Sequence, residues 1–84
     1  MTDDKIRAVL LQILQEMLPQ EDVSKLNPDV RLRDQLDLDS MDFVNFLVAV
    51  GERLGVETPE KDYAKLATLN SCVTYFRSKR AAQT

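Results

Sequence analysis

The stretch "SMDFVNFLVAVGERL", from Ser40 to Leu54, constrains this chain more than any other segment. At helical spacing it is apolar on nearly every face, and Asp42, Asn45, Glu52 and Arg53 are its only large polar residues. A helix with so little wet circumference must lie centrally or have a use for its surplus apolar surface. Its ends are well marked. Asp39 and Ser40 open it, and Gly55 follows Leu54 where a left-handed C-cap is favoured. In 84 residues there is material for one modest core and not for a second, so this helix organises a single domain over 1–84.

The flanking segments supply its packing partners. From Thr2, Ile6, Val9, Leu10, Ile13 and Met17 recur at three and four residues, with Asp3 and Asp4 in the first turn and Pro19 after the end. That spacing predicts an amphipathic helix of about four turns. Residues 19–39 have no sustained helical period, yet Val23, Leu26, Val30, Leu32, Leu36 and Leu38 punctuate them, as expected of a long loop pinned by its own side chains. Within it "LRDQL" is expected to form one helical turn. "VETPEKDYAKLATLN" holds a short helix around Pro59 to Lys65, with Pro59 at the first helical position. Thr68 or Asn70 caps a last helix that buries Leu69, Val73 and Phe76 and ends near Arg80. The expected core spans about 3–80, with 81–84 frayed. No strand shows convincing alternation, so the fold class is all-α.

Charge and composition remove whole classes of function. The net charge is −3, with six acids and three bases in 20–39, five and two in 40–62, and no acid against four bases in 63–84. An acidic body argues against nucleic acid. Arg77, Lys79 and Arg80 read as charges complementing the dipole of the last helix. The N-terminus carries acids where a secretory signal has bases, and Phe43 to Val50 is far shorter than a membrane span, so a cytoplasmic chain without membrane insertion is expected. Cys72 has neither a second cysteine nor any histidine to work with, and reads as a small buried apolar residue. With no glycine-rich phosphate loop and no metal-ligand cluster, an enzyme is not expected, nor a metal site.

What remains is "DSMD". If Asp39 is the N-cap and Asp42 reaches back to it, the helix end is satisfied, and Ser40 stands at the first helical position with its hydroxyl unused. A helix N-terminus tolerates a phosphate ester well, although Asp39 and Asp42 oppose one unless a cation or an enzyme's basic groups intervene. On capping physics alone, a plain cap and a chemically used hydroxyl both remain open.

The ordered set of "LDLDSMD", then "RLGVETPEKDYAKL", then "TLNSCVTYF", behind an apolar first helix and a long loop, resembles the acyl carrier proteins over roughly Ile6 to Arg77. The resemblance implies a four-helix bundle of three main helices and one short one, with the long loop between the first and second. It also implies 4′-phosphopantetheine attached covalently to the Ser40 hydroxyl, its terminal thiol carrying an acyl group as a thioester. Asp39, Met41 and Asp42 would then serve recognition by a phosphopantetheinyl transferase. The other partners would be acyl-loading, elongating or acyl-transfer enzymes of a fatty-acid, polyketide or other specialised lipid pathway, visited by a monomeric carrier. An aminoacyl or peptidyl carrier of nonribosomal or D-alanyl type, and an unmodified helical interaction module, are the competing readings.

Several positions depart from the family pattern. Asp37 stands where a glycine commonly precedes the Asp-Ser pair, and Met41 where leucine commonly follows it. Fatty-acid synthesis carriers bear several glutamates on the exposed side of the helix after the serine, whereas the corresponding residues here are Asn45, Gly51, Glu52 and Arg53. Met41, Asn45, Glu52 and Arg53 are accordingly expected to select dedicated partners, because electrostatic complementarity sets encounter rate and partner choice. Phe46 reads as core, whereas Phe43, with Val44 and Leu47, is a candidate lining for an acyl pocket.

Overall fold

Thr2 sets the start of the first helix: its hydroxyl accepts from the Lys5 amide at 3.2 Å, and Asp3 and Asp4 place negative charge in the first turn. The computed structural model describes residues 1–82. It contains four α-helices: α1 (Asp3–Met17), α2 (Leu32–Gln35), α3 (Ser40–Leu54) and α4 (Leu69–Ala82). Two 3-10 segments, Val23–Lys25 and Glu60–Leu66, and an isolated antiparallel bridge between Arg31 and Thr68 accompany them. On α1 the fully packed stripe is Ile6, Leu10, Ile13 and Leu14. Val9 and Met17, expected there, are only partly buried and flank it, because Leu14 continues the Ile6–Leu10 row at the four-residue step.

Helix α3 is central, as its apolar circumference demands. Phe46, Leu47 and Val50 are 0% exposed and Leu54 1%, and α1 and α4 both pack against the helix. Gly55 takes φ +70° at its end, and the Val56 amide donates back to the Gly51 carbonyl at 2.8 Å. This Schellman-type closure folds the exit chain over Gly51. A Cβ at Gly51 would stand 2.5 Å from the Val56 carbonyl oxygen. Gly51 is therefore buried beneath the turn and is not part of the exposed side to which the sequence pattern assigns it.

Polar contacts join buried side chains in holding the long loop. Gln35 accepts from the Asn27 amide at 2.7 Å and donates to the carbonyls of Asn27 and Val30, each at 2.9 Å. The Leu32 amide donates to Ala67 at 2.9 Å and the Asn70 amide to Pro28 at 3.0 Å, which ties the loop to the start of α4. Val23, Leu32, Leu36 and Leu38 are buried as expected, but Val30 is 39% exposed. Its carbonyl, bonded to Gln35, fixes the turn without its side chain.

In the C-terminal half one expectation is corrected and one pair of alternatives is resolved. Pro59 is the extended N-cap, at ψ 146°, of the 3-10 helix Glu60–Leu66, and not a first helical residue. Thr68, not Asn70, caps α4: its hydroxyl accepts from the Ser71 amide at 3.0 Å, while the Ser71 hydroxyl accepts from the Thr68 amide at 3.0 Å. Helix α4 continues through Ala82, past its expected end near Arg80; of the tail expected to fray, 83–84 lie outside the described residues. Its basic residues also make specific contacts. Arg80 Nη1 donates to the Leu54 carbonyl at 2.6 Å, closing the end of α3, and Arg77 pairs with Asp3 at 2.8 Å. No described helix is long and apolar enough to cross a membrane.

Candidate functional site

The mouth of α3 is built by two carboxylates facing each other across three residues. Asp39, at φ −82° and ψ 179°, is the N-cap. Its Oδ1 accepts from the Asp42 amide at 2.8 Å, and Asp42 Oδ2 accepts from the Asp39 amide at 3.3 Å. This reciprocal capping box satisfies the helix end with side chains on either side of Ser40. Ser40 is exposed at the first helical position, and its hydroxyl has no protein partner among the described residues. The arrangement leaves this oxygen accessible while the backbone around it is already fixed.

The charges around this hydroxyl are mixed. Asp34, Asp37 and Asp39 are exposed. Arg31 is paired with Asp34, Nε to Oδ2, at 2.9 Å. Arg33 Nε donates to the Leu38 carbonyl at 3.3 Å, which lays the guanidinium along the segment leading into Ser40. An open cleft of about 390 Å³ lies beside it, lined by Arg31, Arg33, Leu38, Phe43, Tyr63 and Ala67 among others.

Of the three residues expected around an acyl pocket, the structure brings only Phe43 to this cleft. Val44 is partly buried elsewhere on the helix, and Leu47 is 0% exposed in the core. Phe46 is fully buried with its ring 6.4 Å from that of Phe43. On the outer side of α3, Met41 is 65% and Val48 46% exposed, alongside exposed Asn45, Glu52 and Arg53. That face mixes two apolar side chains with three polar ones and carries little net charge. At its far end Val48, Gly51, Glu52, Val56 and Thr58 border a second shallow depression, where the Thr58 hydroxyl is buried without a partner among the described residues.

Two features have no local signature in the sequence. Asp62 is 5% exposed and accepts from the Tyr75 hydroxyl at 2.6 Å, with Lys65 at 3.4 Å and Lys79 at 4.0 Å. The Tyr75 hydrogen bond holds the Asp62 carboxyl below its ordinary value against the opposing effect of burial, and the two lysines assist. Burial, then the bond to Asp62, pushes the Tyr75 phenol up to about 12. These residues meet because the 3-10 helix folds back onto α4, and only their separation along the chain was visible beforehand. Arg33 is the second, since nothing in "LRDQL" announces its bond to Leu38. Cys72, in contrast, is buried as expected: its Sγ donates to the Leu66 carbonyl at 3.2 Å, and burial pushes the thiol up to about 12. The chain's one thiol is thereby kept out of thiolate chemistry.

Comparison with known proteins matches residues 5–76 to the family model described as "Phosphopantetheine attachment site". The chain is 31% identical over 78 residues to an acyl carrier protein of Lactobacillus johnsonii, covering 93% of this chain and 96% of that protein. It is 33% identical over 76 residues to a meromycolate extension acyl carrier protein of Mycobacterium leprae, covering 90% of this chain but 65% of the longer relative. Its fold is similar to that of an acyl carrier protein from Enterococcus faecalis, with a TM-score of 0.78 at 20% identity, over 94% of this chain and 99% of that one.

Proposed function

Because this chain belongs to the acyl carrier protein family, we propose that Ser40 is the residue through which it carries its arm, and that it serves dedicated partners in a lipid pathway. The protein is a carrier and not an enzyme, and its cofactor is 4′-phosphopantetheine, which supplies a thiol on which acyl groups ride as thioesters. It works with a phosphopantetheinyl transferase and with acyl-handling enzymes.

One observation carries the assignment of Ser40: the hydroxyl is exposed at a helix N-terminus whose capping needs Asp39 and Asp42 already meet. A phosphodiester on that oxygen displaces no native hydrogen bond and faces the positive end of α3. Cys72 supports the same reading from the other direction. A fully buried thiol held near 12 cannot itself bear cargo, so an acyl thioester on this protein requires a delivered thiol. In this reading Asp39 and Asp42 fix the backbone presented to the transferase, and Met41, the most exposed large apolar residue, gives it an apolar hold. Intact mass after reaction with a broad phosphopantetheinyl transferase tests it. A gain of one phosphopantetheinyl group that Ser40→Ala abolishes is expected; an unchanged mass refutes the carrier role of this serine.

The outer face of α3 supports dedicated partners. Asn45 and Arg53 stand where acidic docking side chains are expected, leaving Glu52 as the only acid among the partner-facing set Met41, Asn45, Glu52 and Arg53. Partners using a strongly basic patch gain little steering from such a surface, whereas a more apolar partner face fits Met41 and Val48. If holo-protein supports general fatty-acid elongation as well as a strongly acidic carrier does, the reading fails. The relatives' names as acyl carrier proteins support acyl rather than aminoacyl cargo, and a cytoplasmic monomer suits a carrier that visits several enzymes.

A further inference from the structure

The aromatic pair at the start of α3 bears on the kind of cargo this domain suits. Phe43 is partly buried against the core and borders the open cleft. Phe46 follows it by three residues on the same face of the helix, with the two ring centroids 6.4 Å apart and the rings tilted by 39°. Phe46 is 0% exposed, as are Leu47, Val50, Leu66 and Phe76 in the same core. A side chain with no accessible surface touches no void that would admit even a water molecule. An alkyl chain entering the core past Phe43 therefore has to displace a packed phenyl ring, and close-packed interiors resist such insertion.

The other walls of the cleft are also fixed. Tyr63 and Ala64 belong to the 3-10 helix Glu60–Leu66, which is bolted to α4 at both ends. Asp62, 5% exposed, accepts from the Tyr75 hydroxyl at 2.6 Å, and the Leu66 carbonyl accepts from Cys72 Sγ at 3.2 Å. Ala67, next in the chain, is tied to α2 through its carbonyl and the Leu32 amide at 2.9 Å. Widening the domain from this side breaks buried hydrogen bonds whose partners would be left unsatisfied.

We propose that Phe43 and Phe46 form a two-ring stop that keeps the acyl group out of the core, so that the cargo of this carrier is a short acyl group or one bearing polar substituents. This rests on Ser40 carrying the arm. A long saturated chain held outside the core keeps its methylenes in water, at a cost that grows with length. A short chain, or one carrying hydroxyl, carboxyl or amide groups, has little apolar surface to hide and loses little by remaining outside.

The test compares protein bearing the bare arm, a butyryl arm and an octanoyl arm, each verified by intact mass, in wild type, Phe46→Leu and the double variant Phe43→Ala/Phe46→Leu. In wild type the amide resonances of Leu47, Val50, Leu66 and Phe76, and Tm, are expected to be the same in all three forms. In the double variant the octanoyl group, and not the butyryl group, shifts those resonances and raises Tm by about 4–8 °C over the same variant with the bare arm, the response to burying one or two methylene groups in a domain this small. Comparing each variant with its own bare-arm form cancels the stability lost to the substitutions. Phe46→Leu, a smaller change in volume, shows the same direction and serves if the double variant does not fold. Octanoyl shifts at the buried residues in wild type overturn the proposal. So does an octanoyl group silent in wild type and variants alike, because the rings are then not what excludes it. Failure to gain mass overturns the attachment at Ser40, and this proposal with it.

Discussion

Substituting Gly51 opposes two effects whose sizes are comparable, and the structure says which wins. On helix propensity alone, Gly51→Ala in the body of α3 stabilises by about 1 kcal/mol. But the new Cβ would lie 2.5 Å from the Val56 carbonyl oxygen, roughly 1 Å inside the optimal separation of nonbonded atoms. The obstructing atom is backbone, anchored by the Val56 amide bond to Gly51 and by a Val56 side chain only 5% exposed. Relieving such overpacking costs about 1–3 kcal/mol. Because the obstructing backbone cannot give way easily, Gly51→Ala is expected to fall at the costly end, a net loss of up to about 2 kcal/mol and a fall in Tm of up to about 8–16 °C for a domain of this size. Gly51→Glu falls further, because a charge must also leave a buried position beside Glu52 and Glu57. Asn45→Glu, on the exposed face, should stay within about 0.5 kcal/mol of wild type. Thermal melts followed by circular dichroism, checked by urea midpoints, measure all three. A higher Tm for Gly51→Ala would refute the argument. Its functional corollary is that a more acidic docking face can be built at Asn45 and Arg53 but not at Gly51.

Three further outcomes follow from the geometry. Asp39→Ala removes the cap and should cost about 1 kcal/mol, or 4–8 °C in Tm, while Ser40→Ala leaves the melt nearly unchanged because its hydroxyl caps nothing; equal losses in the two would contradict the capping box. Cys72 has a folded-state pKa raised from 9.0 to about 12, so its contribution is complete below pH 9 and is lost as pH rises above it, by up to about 1.4 kcal/mol per pH unit. Tyr75 acts in the same direction, and Cys72→Ala should reduce the slope of Tm against pH between 9 and 10 despite a lower starting stability. Asp62 is depressed below 3.8, so its contribution is present above that value and is lost as pH falls through the lower folded value; Asp62→Asn should melt with less acid sensitivity between pH 4 and 2, and parallel curves would argue against the Tyr75 contact.

Whatever depends on neighbours within a turn or two could be read from the order of the residues. Thr2, Asp39 with Asp42, Gly55 and the apolar row on α1 place the helices because caps, left-handed glycine and the 3.6-residue period act locally. The same locality placed Ser40 at a satisfied helix mouth, and the ordered motifs added the family to which such a serine belongs. Tertiary structure alone decided how the chain turns beyond the helix ends and which elements meet. Gly51 left the docking face because Val56 folds back over it, and Val30 faces water because Gln35 holds the loop by its backbone. Leu47 went to the core while Phe43 reached a cleft, since α1 and α4 cover one side of α3 and leave another open. Asp62 met Tyr75, and Arg33 met Leu38, through turns whose geometry follows from packing the whole domain. A helical period fixes which residues share a face, but only the neighbouring elements decide which face is covered.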